Sequence, residues 1–207
     1  MKLLTLALLI GFSPAASAQS IAVKNGPAGT ISVGGRSSFS LFNDDEHGSA
    51  GTGVGGQFRI RLADRVNTDW FYDYFSGGLG EHAHRMDQHI GWSVLFYLRE
   101  PVAARQFIQP YILAGHCFDY TKQQANNDPS NYAERWSSAV QAGLGTHFNI
   151  TDRMDLSVVG QYMVHLGTDV HADEHDDEVE FHKEDGSNLE GHLLFHVSFN
   201  YKLFDAW

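Results

Sequence analysis

A chain of 207 residues, 43% hydrophobic and 19% charged, is long enough for one domain with a substantial buried core. Its net charge of −11, from 14 basic against 25 acidic residues, leaves no basic footprint for nucleic acid. The single cysteine excludes an internal disulfide, and no stretch reaches the ~18 unbroken apolar residues of a membrane-crossing helix.

Residues 1–18 read as a secretory signal, with Lys2 as the positive start, Leu3–Phe12 as the apolar stretch and Ala16-Ser17-Ala18 as the cleavage site. The mature chain is expected to begin near Gln19, with an N-terminal segment to residue 29 and one β-barrel domain over 30–207. Cys117 reads as a small strand residue.

From Thr30 onward apolar and polar residues alternate with period two, which is the signature of strands with one greasy and one wet face. The first strand spans Thr30–Phe42, with Ile31, Val33, Phe39 and Leu41 opposing Arg36, Ser38 and Ser40. Strand two, Val54–Ala63, sets Val54, Phe58, Ile60 and Leu62 against Gln57, Arg59 and Arg61. Asp64-Arg65 turns into strand three, Val66–Ser76, where Trp70, Tyr72 and Tyr74 oppose Asp69, Phe71, Asp73 and Phe75. A Gly- and His-rich loop, Gly77–Gln88, precedes strand four, His89–Arg99, with Ile90, Trp92, Val94, Phe96 and Leu98 on its greasy face. Strand five lies near Gln106–Tyr120, and its alternation leaves the side taken by Tyr111 open. Strand six, Trp136–Ile150, and strand seven, Met154–Leu166, follow a long polar loop and a short turn respectively.

The last strand has the clearest pattern. Leu193, Phe195, Val197, Phe199, Tyr201 and Leu203 alternate with His192, His196, Ser198, Asn200 and Lys202, and Leu194 is the one apolar residue on the polar side. Such a run exceeds the usual ~5–6 residues of a core strand and fits the ~9–11 residues of a tilted strand crossing a bilayer. Connections are long after strands one, three, five and seven and short after the others, as in barrels with long outer loops and short periplasmic turns. The expected fold is therefore all-β: an eight-stranded antiparallel, up-and-down transmembrane β-barrel. A soluble lipocalin-like barrel would hide the greasy face instead. The other face carries Arg36, Arg59, Arg61, Asp69, Asp73, Arg99, Asp155 and Lys202, too many ionisable groups for an apolar ligand pocket. In an eight-stranded barrel these must fill the lumen as a paired ion network, which disfavours a diffusion channel.

On these features the chain resembles the small eight-stranded outer-membrane proteins of Gram-negative bacteria, the OmpA transmembrane-domain and OmpX/Ail group, over about Thr30 to Trp207. The resemblance implies that Phe195, Val197, Phe199, Tyr201, Leu203 and terminal Trp207 form the signal read by the barrel-assembly machinery. It also implies export to the outer membrane, contact with its lipids and lipopolysaccharide, and a monomer with a non-enzymatic structural or surface-binding role. A partner outside the cell would be met by the outer loops.

Two sets of residues invite chemistry. Of the 12 histidines, six lie in outer loops, His47, His82, His84, His171, His175 and His182, and the spacings His82-x-His84 and His171-x3-His175 could let two imidazoles share a metal ion, with Asp173 and Asp177 as carboxylate ligands. Residues 167–190 hold ten acids against Lys183, so a solvated loop with at most weak divalent-cation binding is expected, and no other cofactor. His89, His147, His165, His192 and His196 fall on the polar face and read as hydrogen-bonded lumen residues. The resemblance also raises a lipid A acyl hydrolase, for which His116, Ser138 and Glu134 are the available trio. The local sequence Gly115-His116-Cys117-Phe118 lacks the His-x-Ser-Asn pattern of lipid A deacylases, so no enzyme activity is expected.

Overall fold

Period-two sequences can satisfy their backbone groups only by pairing, and a sheet surrounded by lipid must also have no free edge. The computed structural model meets both demands. It describes residues 26–42, 50–100, 106–167, 169–175, 178–184 and 191–207, with the backbone alone for residue 42, residues 169–175, 178 and 182–184. The strands are β1 (Thr30–Phe42), β2 (Ala50–Ala63), β3 (Val66–Leu79), β4 (Ala83–Tyr97), β5 (Ile108–Ala125), β6 (Tyr132–Asn149), β7 (Met154–Leu166), β8 (Asp169–His175), β9 (Glu178–Glu184) and β10 (Gly191–Asp205). Eight of them close an antiparallel barrel in the order β1-β10-β7-β6-β5-β4-β3-β2, and β8 pairs with β9 in a separate hairpin. The fold is the expected one.

Alternation decides which side chains face out. Val33, Val54, Phe58, Ile90, Phe118, Leu144, Val158, Phe195 and Phe199 are exposed around the barrel, as are Trp70, Trp92, Trp136, Tyr162 and Tyr201. Phe58 stacks on Trp70 at 6.0 Å, and Trp92 follows at 6.4 Å, making an aromatic band across three strands. An apolar exterior with interfacial aromatics surrounds a polar interior of buried Ser, Gln, Arg, Asp and His, the reverse of a soluble barrel.

The strands are longer at the outer end than the pattern predicts. Gly77–Gln88, expected as a loop, is a continued ladder of β3 and β4 joined by Gly80–His82, with Gly80 at φ 60°. β5 and β6 likewise run on to Ala125 and Tyr132. Above the lipid polar residues also occupy the outward face of these extensions, as His84, Gln88 and Lys122 do, so alternation fades and the sequence reads as loop. Tyr111, whose side was open, points into the lumen and is 1% exposed. Arg99 is a correction: β4 ends at Tyr97, and Arg99 sits exposed in the following turn, outside the lumen network. At the other end of the last strand, Ile31 pairs Phe204 while Ser32 pairs Lys202, so Leu203 is bulged and strict alternation stops before Trp207.

Candidate functional site

The lumen is built in layers. Toward the periplasmic end, β2 places Arg59 between two carboxylates, Asp155 of β7 at 3.1 Å and Asp69 of β3 at 3.6 Å, and its guanidinium also donates to Ser157 at 3.0 Å. Arg36 reaches Asp69 at 3.6 Å, ion-pairs with Asp73, and lies 4.3 Å over the ring of Phe71. Gly55 makes room for this, because a Cβ there would meet the Asp73 carboxylate. Asn200 donates to Asp155 at 3.0 Å, and Lys202 donates to Asn149 at 3.1 Å. Arg61 donates to the Asp64 carbonyl and packs 4.1 Å over Tyr97. Seven of the eight residues expected in the ion network therefore face the lumen, Asp69 and Lys202 less buried than the rest. The cavity among Arg36, Asp69, Tyr111 and His196 holds only about 20 Å³, room for about one water. A larger recess of about 410 Å³ opens at the periplasmic mouth and reaches up to the Arg59–Asp155 pair, with Arg61, Tyr97, His147 and Lys202 also in its lining.

Above this network lies an apolar belt of Phe71, Phe75, Cys117, Ala139, Met163 and Leu194. Leu194, the sequence exception on the polar face, thus has a lumenal reason. Next comes a second polar group on β4, β5 and β7. Asp119 is approached by His89 Nε2 at 3.0 Å on Oδ1 and by His165 Nδ1 at 2.9 Å on Oδ2. Thr121 donates to Asp87 at 2.6 Å, and Arg85 Nε donates to the same carboxylate at 3.0 Å. A second apolar layer covers this group: Leu79, Ala83 and Ala125 with Val179 of β9, against which Phe181 packs. Asn131 fixes the hairpin by donating to the Val179 carbonyl at 2.8 Å. The acidic segment, expected as a loop, is therefore a hairpin docked on the outer mouth.

The outer-loop candidates separate. His84 Nδ1 is 3.0 Å from Asn126 Oδ1, and His82 lies in the Gly80–His82 turn. His171, Asp173, His175 and His182 fall in β8 and β9, where the backbone alone is described, and His47 and Asp177 lie outside the described residues. The register sets His171 opposite His182 and Asp173 opposite Glu180. Among the described residues, the one set of three His, Cys or acidic donors within metal reach is Asp87, His89 and Asp119, inside the barrel. Sequence reading missed it because Asp87 was assigned to a loop and the facing of β5, hence of Asp119, was unresolved. The other lumenal histidines differ: His147 meets Ser157 and Tyr97, and His196 meets Ser38 at 2.6 Å.

The hydrolase trio is on the lipid side, but not assembled. Register pairs His116 with Val140 and Phe118 with Ser138, making His116 and Ser138 diagonal neighbours, which strand geometry separates by roughly 7–8 Å. Glu134 accepts from the Tyr120 hydroxyl at 2.7 Å, and His116 stacks edge-on with Phe118 at 5.1 Å. A nucleophile–base pair requires about 2.6–3.2 Å.

No curated protein matches this sequence. Its fold is similar to that of Ail, the attachment invasion locus protein of Yersinia pestis, at 11% identity and TM-score 0.53, covering 85% of this chain and 99% of that one. Neisserial surface protein A is similar at 11% identity and TM-score 0.58 (84% and 97% covered), and OprG from Pseudomonas aeruginosa at 14% and 0.54 (86% and 98%). At such identities the likeness speaks for the fold alone. The outer membrane protein beta-barrel domain family matches residues 4–202, nearly the whole sequence. An inside-out barrel, a packed polar lumen and that family match together place this chain in the outer membrane protein beta-barrel domain family.

Proposed function

We propose that this outer-membrane barrel is a non-enzymatic, non-conducting anchor whose work is done by its outer hairpins. The observation that carries this reading is the lumen: beyond the periplasmic recess of about 410 Å³ it is closed by packed side chains that leave a cavity of about 20 Å³ around Arg36, Asp69 and Tyr111, under an outer mouth covered by Val179. A rigid, plugged barrel leaves the surface as its means of action. The β8–β9 hairpin and its flanks carry ten acids against one lysine, so the natural partners are cationic surfaces, or anionic lipopolysaccharide bridged by divalent ions. Export by the signal at residues 1–18, assembly through the β10 pattern and a monomeric state belong to the same proposal.

The test is conductance and binding on one preparation. Barrels in planar bilayers should show no open-channel steps, and should bind lipopolysaccharide vesicles more tightly with Ca²⁺ than with chelator. Deleting 172–184 should abolish the Ca²⁺ increment while leaving the barrel folded. Steady channels in the intact protein would overturn the plugged reading, and an unchanged Ca²⁺ increment in the deletion would overturn the role of the hairpin.

A further inference from the structure

The polar group at Asp119 is in an unusual position. It lies between two apolar layers, Phe75, Cys117 and Met163 below and Leu79, Ala83, Ala125 and Val179 above. Asp87, His89 and Asp119 are each about 1% exposed or less. Charge buried at such a depth is tolerated when it is paired or coordinates a metal.

The two carboxylates are provided for unequally. Asp87 is neutralised by Arg85 at 3.0 Å, whereas the Arg135 guanidinium stands 3.8 Å from Asp119. The nearest neighbours of Asp119 are two imidazoles, and their geometry is informative. His89 Nε2 and Asp119 Oδ1 are 3.0 Å apart, yet neither atom makes an aligned hydrogen bond. Both nitrogens of His89 lack an aligned partner, as do both of His165. Two donor atoms close together but not aimed at each other are what a shared ion requires. Ligands at 2.0–2.2 Å from a tetrahedral centre lie roughly 3.3–3.6 Å apart, a few tenths of an ångström more than the 3.0 Å between His89 Nε2 and Asp119 Oδ1. The ligand atoms of Asp87, His89 and Asp119 all lie within 4.8 Å of one another.

The outer sphere has a matching division of labour. Oδ1 of Asp119 faces His89, while Oδ2 accepts from Ser137 at 3.3 Å, with His165 Nδ1 2.9 Å away but unaligned and Thr121 at 3.4 Å. The single hydroxyl proton of Thr121 goes to Asp87 Oδ1 at 2.6 Å, so Thr121 orients Asp87 while Ser137 orients Asp119. Carboxylate ligands are ordinarily steadied by such hydrogen bonds.

We propose that Asp87, His89 and Asp119 form a buried site for a divalent late first-row transition metal of the Zn²⁺ class, with His165, Thr121 and Ser137 as its orienting partners. One imidazole and two carboxylates suit that class, and the ion would tie β4 to β5 in the outer half of the lumen. It would enter as the barrel closes, because the apolar cover shuts the site afterwards.

The experiment folds the full chain into detergent micelles with Zn²⁺, removes loose ions with a mild chelator, and measures retained metal by elemental analysis. Co²⁺ in place of Zn²⁺ supplies a visible spectrum that reports coordination geometry. The wild type and a control carrying His171→Gln, His175→Gln and His182→Gln should each retain one ion per chain. His89→Gln should lower affinity at least about 100-fold while still giving a heat-modifiable band. Retention of no ion by the wild type would overturn the proposal. So would loss of the ion in the hairpin control with retention in His89→Gln. If His89→Gln does not fold, the wild-type Co²⁺ spectrum decides: tetrahedral d–d bands with an imidazole signature support the site, and a hexaaqua-like spectrum overturns it.

Discussion

Arg59→Ala is the most informative single perturbation of the lumen. Arg59 is 3% exposed and lies between Asp155 at 3.1 Å and Asp69 at 3.6 Å, with Ser157 at 3.0 Å. Removing it leaves Asp155 without its ion-pair partner and leaves Asp69 only Arg36, 3.6 Å away and already committed to Asp73. Breaking a buried ion pair by deleting one partner costs about 3–5 kcal/mol, most of it the cost of the charge left behind. Asp155→Asn, which keeps the shape and leaves Arg59 with Asp69, should cost less, roughly 1–3 kcal/mol. Arg59→Lys keeps the charge but lacks the fork that spans Asp155, Asp69 and Ser157, and should fall between. The triple change Arg59→Met, Asp69→Leu, Asp155→Leu removes the charges together and should recover most of the loss. The assay is reversible unfolding in urea with the barrel in lipid vesicles, followed by Trp fluorescence and the heat-modifiable gel band. A loss below about 1 kcal/mol for Arg59→Ala would refute the reasoning, since it would mean water reaches these carboxylates and the lumen is not packed.

Four further outcomes are expected. Leu144 is 66% exposed on β6, five residues from its periplasmic end at Asn149, so Leu144→Arg should destabilise by about 2–4 kcal/mol in lipid; a neutral effect would deny the bilayer position. Leu194→Ala, at a fully buried site in the apolar belt, should cost about 2–5 kcal/mol in the same assay, and a negligible cost would mean the belt is loose. His116→Ala and Ser138→Ala should each leave the acylation of lipid A unchanged by mass spectrometry; a change would revive the hydrolase. In the outer β5–β6 loop, the Ser130 hydroxyl at 2.6 Å and amide at 2.9 Å hold the Asp128 carboxyl below its ordinary value of 3.8. The depressed value means that this turn is favoured above the ordinary carboxylate range and loosens as pH falls through the lowered one. NMR titration should show the low midpoint, and Ser130→Ala should raise it.

Legibility followed the solvent. Where lipid contacts one face and packed polar groups the other, as in β1, β7 and β10, the sequence alternates cleanly. There β1 and β7 end where the pattern predicts and β10 begins within a residue of it. Beyond the lipid the contrast disappears: in His84-Arg85-Met86-Asp87-Gln88 polar residues occupy both faces, so a paired ladder reads as loop. The metal-like group was lost with that segment, because its donors come from β4 and β5, whose meeting is a matter of register. Tyr111 could not be placed because β5 carries apolar residues on both faces, Leu113 and Cys117 inward and Ile112 and Phe118 outward. Arg99 was misplaced by two residues of strand length. The fold of the acidic segment depends on Val179 and Phe181 finding Leu79, Ala83 and Ala125, contacts that no local pattern announces.

The central claim is that the greasy face of this barrel meets lipid and its lumen is sealed by side chains. The most direct test is gel mobility of the outer-membrane fraction with and without boiling. A compact, fast band that converts to a slower one on heating is the predicted result. Recovery of the protein only from the soluble periplasm, with no mobility shift, would contradict the account.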